Sequence, residues 1–146
     1  MTKPHVRFAA GLAVAYLLAL LLIAFWPTPV DRPVSGSLSS VIGWLHAHGM
    51  PRFIGYNLIE FAANIGLFMP FGYIAGAVNR KWWFPLATGF AASCLIELGQ
   101  ALLLPNRYSS LLDIVANTAG AGLGAGVFAL VHAMHSRREA SVEPAR

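Results

Sequence analysis

Charge and cysteine are what this chain has least of. Only 11% of its 146 residues are Asp, Glu, Lys or Arg, whereas a soluble domain carries about a quarter. A water-facing surface cannot be built from so few charges, and an ordinary soluble domain is excluded. The single cysteine, Cys94, excludes an intrachain disulfide and any multi-cysteine metal site. Set in an apolar run, it reads as a small buried residue. Acidic residues are scarcer than basic ones, leaving a net charge of +4. The cations stand at the ends of apolar runs and do not form the stripe that nucleic acid requires, so no nucleic-acid partner is expected. His46 and His48 lack a third ligand, and neither a metal site nor a cofactor is assigned.

What is abundant is apolar side chain, 57% of the residues, with a mean hydropathy of +0.62. The expected class is an all-α membrane protein, a bundle of four transmembrane helices. The run 8–26 spans about 28 Å as a helix, close to a hydrocarbon core. It ends in Phe25-Trp26-Pro27, bulky where a signal-peptide cleavage site wants small residues, so it reads as a retained first helix. The further spans are placed at 57–78, 82–104 and 111–132, and their short connections require antiparallel neighbours. Lys3, Arg7, Arg80, Lys81, Arg137 and Arg138 all fall on one side, which the positive-inside rule makes cytoplasmic. Residues 1–7 are then a cytoplasmic N-terminus, 8–134 the membrane domain and 135–146 a disordered cytoplasmic tail. Between the first two spans, SLSSVIGWLHAHG places Leu38, Val41, Ile42 and Leu45 on one face, predicting a short interfacial helix on the outer surface with Trp44 as anchor.

Polar residues recur within the last three spans at helical spacing. Asn57, Glu60 and Asn64 share one face of the second, Ser93, Glu97 and Gln100 one face of the third, and Asp113, Asn117, Gly120 and Gly124 one face of the fourth. With the topology above, Glu60, Asn64, Glu97, Gln100, Asp113 and Asn117 fall in one outer-leaflet slab. Ionisable groups at membrane depth cost several kcal/mol unless partnered or hydrated, and Arg107 in the outer loop is the nearest cation. The alternating Gly120, Gly122, Gly124 and Gly126 read as small-residue packing positions. Pro70 removes a helix donor within the second span.

NIGLFMPFG at 64–72, ELGQ at 97–100, and Arg107, Asp113, Asn117 and Gly120 in RYSSLLDIVANTAG together resemble the VanZ-like family of small bacterial membrane proteins. The resemblance covers the last three spans, in order. It implies a multi-pass protein of the bacterial cell membrane. The namesake of the family is associated with low-level resistance to the lipoglycopeptide antibiotic teicoplanin.

Three functions fit these residues. In the first, Asn64, Glu97, Gln100, Arg107, Asp113 and Asn117 line a ligand pocket for a lipid, a lipid-linked envelope precursor or the tail of a lipoglycopeptide. Arg107 would hold an anionic group there and the amides would supply hydrogen bonds. The alternative is a membrane-embedded acid–base enzyme acting on an envelope lipid or glycan, with Glu97, Asp113 and Arg107 as catalytic candidates. In the third, the same residues only bond the helices together, although such bonds average about 0.6 kcal/mol in membranes.

Overall fold

A computed structural model describes residues 3–27, 35–105 and 110–142. Among them are five helices and no strand: α1 (Lys3–Ala24), α2 (Ser35–Ala47), α3 (Tyr56–Val78), α4 (Trp83–Leu103) and α5 (Leu111–Val142). Four of these, all but α2, are long and apolar enough to cross a membrane. α2 is the short helix expected between the first two spans. It turns Ile42 inward and leaves Trp44 more than half exposed. His46 Nε2 lies 3.0 Å from the Ile54 carbonyl and His48 Nδ1 2.8 Å from that of Trp44. The two rings are thus occupied by local backbone.

Local chemistry sets the boundaries. Gly55 precedes α3 in an extended conformation, and Asn79 closes it by donating its backbone N–H to the Ala75 carbonyl. α3 continues through Pro70. Pro85 lies in the first turn of α4, where a missing N–H has no intrahelical acceptor to disappoint. α5 departs from the expected span. It stays helical through Val142, so a helix replaces the disordered tail placed after residue 134, as far as it is described. The physical reason is local: SRREASV has no Gly or Pro and includes Arg, Glu and Ala, good helix formers.

α3, α4 and α5 form the packed body. α3 and α5 run in the same direction, with α4 antiparallel to both. Glycines bring α3 and α5 into backbone contact. A Cβ on Gly72 would run into the Ala121 carbonyl, one on Gly120 into that of Ile65, and one on Gly124 into that of Met69. Gly126, by contrast, has open space where its Cβ would be. The small-residue packing face therefore ends at Gly124.

The apolar core, Leu20, Ala24, Phe68 and Ile96, joins α1 to α3 and α4. Tyr16 adds a hydrogen bond from its hydroxyl to the Leu67 carbonyl at 2.6 Å. Elsewhere α1 is largely exposed, with Phe8 at 70% and Leu22 at 64%. Such side chains need hydrocarbon around them, as a lipid-facing helix provides.

Candidate functional site

The cavity toward the α2 end of the bundle gathers the end of α1, the third and fourth turns of α3, the first turns of α5 and the last turns of α4. Asn64, Glu97, Gln100, Asp113 and Asn117 converge there on one cavity of about 60 Å³. Three spans separated in sequence thus bring five of the six expected site residues together. The sixth, Arg107, lies outside the described residues. Asn57 and Glu60, expected on the same stripe as Asn64, are exposed and do not line the cavity. One turn of α3 separates the exposed Glu60 from the half-buried Asn64.

Each polar side chain on the cavity bonds across helices. Asn64 donates its Nδ2 to Asp113 Oδ1 at 2.9 Å, linking α3 to α5. Asn117 donates its Nδ2 to Ser93 Oγ at 2.9 Å, linking α5 to α4. Gln100 donates its Nε2 to the Ala24 carbonyl at 2.8 Å. Ala24 ends α1, and the last carbonyls of a helix have no intrahelical donor. Glu97 Oε2 accepts the Ser110 backbone N–H at 2.7 Å. Ser110 immediately precedes α5, so a carboxylate of α4 meets the positive end of the α5 dipole. In a capping box the third residue of the helix, here Asp113, would reach back to that N–H. Glu97 replaces it, and Asp113 turns to Asn64.

One polar atom is left over. Asn117 is 5% exposed, and its Oδ1 is buried without a hydrogen-bond partner. Nδ2 is turned to Ser93, a residue off the cavity wall, so Oδ1 is the amide atom left without a partner. The apolar remainder of the wall comes from Phe68, Ile96 and, on α1, Leu20 and Ile23. A volume of about 60 Å³ admits about two waters or a small polar group. It is far below the 300–1,000 Å³ or so typical of drug-sized ligands, which removes the lipoglycopeptide tail as an occupant of this cavity.

Two participants were not among the expected site residues. Ser93, fully buried, stands one turn from Glu97 on the same stripe, so its spacing carried the signal. The contribution of α1 had no such signal, since Leu20 and Ile23 belong to a uniformly apolar run. Among the described residues, no group of three or more His, Cys, Asp or Glu is placed to hold a metal ion.

No curated protein and no solved structure matches the chain. The VanZ/LLP1 family does match, over residues 13–132, a range that takes in most of α1, all of α2, α3 and α4, and every described residue on the cavity. With its four membrane-length apolar helices, the chain is a multi-pass membrane protein that belongs to the VanZ/LLP1 family.

Proposed function

We propose that this chain is a binding protein of the bacterial cell envelope. Its polar cavity takes the terminal hydroxyl or ammonium from the headgroup of a membrane lipid or lipid-linked wall precursor, and occupancy modulates the response to lipoglycopeptides such as teicoplanin. The observation that carries this reading is the orphaned Asn117 Oδ1 on a wall where four further polar side chains converge. Leaving a buried acceptor unsatisfied costs about 1–3 kcal/mol, which a bound donor recovers. The amide groups of Asn64, Gln100 and Asn117 already donate to protein acceptors, so the cavity has acceptors to offer. A headgroup hydroxyl or ammonium fits that inventory better than a phosphate does.

The acid–base alternative gains no comparable observation. Glu97 and Asp113 each accept a hydrogen bond that joins two parts of the bundle, a positioning role that conflicts with shuttling protons to a substrate.

Asn117→Leu tests the reading, since it keeps the volume and deletes the acceptor. Full-length protein is purified in mild detergent and offered phosphatidylethanolamine or phosphatidylcholine, which differ at the headgroup nitrogen in having or lacking N–H donors. Native mass spectrometry should show preferential retention of the ethanolamine lipid by the wild type and loss of that preference in the variant. Cells expressing the two should differ in teicoplanin susceptibility. Equal retention of both lipids by the wild type, with equal susceptibility, would sink the proposal; conversion of a lipid to a product would select the enzyme instead.

A further inference from the structure

The opposite end of the bundle carries a larger and chemically different recess. A groove of about 400 Å³ lies between α4 and α5 and reaches the last turns of α3. This volume is within the range of ordinary ligand sites. Its floor is made of small residues, Gly122, Gly126 and Ala129, spaced along one face of α5. Leu86 closes it at the upper end, where a Cβ on Gly122 would come within 2.9 Å of the leucine side chain. One turn further, the space at Gly126 is open.

One wall is held in place. The Phe128 ring meets Tyr73 edge-on at 5.4 Å and stacks on His132 at 5.9 Å. The mouth is cationic: Arg80 and Lys81, both exposed, line it with Asn79 and His132. Exposed Trp82 lies beside them, as a residue at the headgroup level does. An apolar slot opening onto two permanent cations matches one kind of occupant by charge and polarity. It suits an acyl chain in the slot and an anionic headgroup at the mouth.

We propose that this groove binds an anionic phospholipid of the leaflet on the α3–α4 link side, which the distribution of basic residues makes the cytoplasmic leaflet. Arg80 and Lys81 contact the phosphate, and the acyl chain lies along Gly122, Gly126 and Ala129. The site is separate from the polar cavity at the α2 end, with which it shares no lining residue.

Two variants probe its halves. Gly126→Leu fills the slot from a position where a Cβ has no neighbour within 4 Å. Arg80→Gln with Lys81→Gln removes the charge at exposed positions. Full-length protein in detergent is titrated with phosphatidylglycerol and with phosphatidylcholine, and retained lipid is read by native mass spectrometry beside the melting temperature. The wild type should prefer phosphatidylglycerol, and the charge variant should lose about tenfold or more of that preference, given the strength of basic residues near anionic surfaces. Gly126→Leu should lose retention of both lipids at unchanged melting temperature. Three results would overturn the proposal: no preference in the wild type, full retention by both variants, or loss of phosphatidylglycerol in Asn117→Leu alone. A dimer that Gly126→Leu dissolves without changing lipid retention would assign the groove to a second copy of the chain and would overturn it too.

Discussion

Glu97 on α4 accepts the backbone N–H of Ser110 at 2.7 Å, so the first turn of α5 is completed by a side chain from the neighbouring helix. That contact makes the start of α5 dependent on α4. It also releases Asp113 from local capping to bond Asn64 on α3.

Glu97→Ala should therefore act on more than one helix. Hydrogen bonds to charged groups contribute about 1.5–3 kcal/mol, and a loss of that order should appear as a lower melting temperature in detergent. Hydrogen exchange should rise most at the first turn of α5. Glu97→Gln keeps an acceptor oxygen and should lose about 1 kcal/mol or less. If both variants melted with the wild type, the cross-helix cap would have no energetic content.

Asn64 and Asp113 are separated by 49 positions in sequence and 2.9 Å in space. A double-mutant cycle of Asn64→Ala and Asp113→Ala should give a coupling of about 0.6–1.7 kcal/mol, between the mean and the largest value measured for polar contacts between membrane helices. Additive single effects would mean that the pair does not hold α3 to α5.

Gly124 and Gly126 differ by two positions and should respond oppositely to a methyl group. At Gly124 a Cβ would meet the Met69 carbonyl, whereas at Gly126 it meets nothing. Gly124→Ala should destabilise by about 1–3 kcal/mol through overpacking. Gly126→Ala should be neutral or slightly stabilising, since alanine is the better helix former. Equal melting temperatures for the two variants would contradict the backbone contact of α3 and α5.

By the positive-inside rule, the basic residues flanking the spans predict both termini in the cytoplasm. A reporter joined after Arg146 should be active only there. Activity on the outer side would invert the bundle and move the polar cavity to the cytoplasmic leaflet.

Much of this architecture is legible in the sequence. Apolar runs of membrane length determine the four long helices, and the spacing of Asn64, Glu97, Gln100, Asp113 and Asn117 brings them to one cavity. What periodicity could not supply was how far each stripe stays covered. Asn57 and Glu60 share the face of Asn64 but are exposed and lie off the cavity wall. Gln100 finds a carbonyl 76 positions away, a partner that no local pattern encodes. The continuation of α5 to Val142 was hidden by composition, because polar residues without a breaker are equally compatible with helix and coil.

The modest packing of α1 gives the cavity one soft side. Besides its few core contacts, α1 is tied to the body by Tyr16 on Leu67 and by Gln100 on its terminal carbonyl, bonds of about 1 kcal/mol each. Parting apolar surfaces costs little when lipid tails replace what is lost. The wall that Leu20 and Ile23 supply is thus the least firmly held side of the cavity, and under the proposed function it is the side from which a lipid group would enter out of the bilayer.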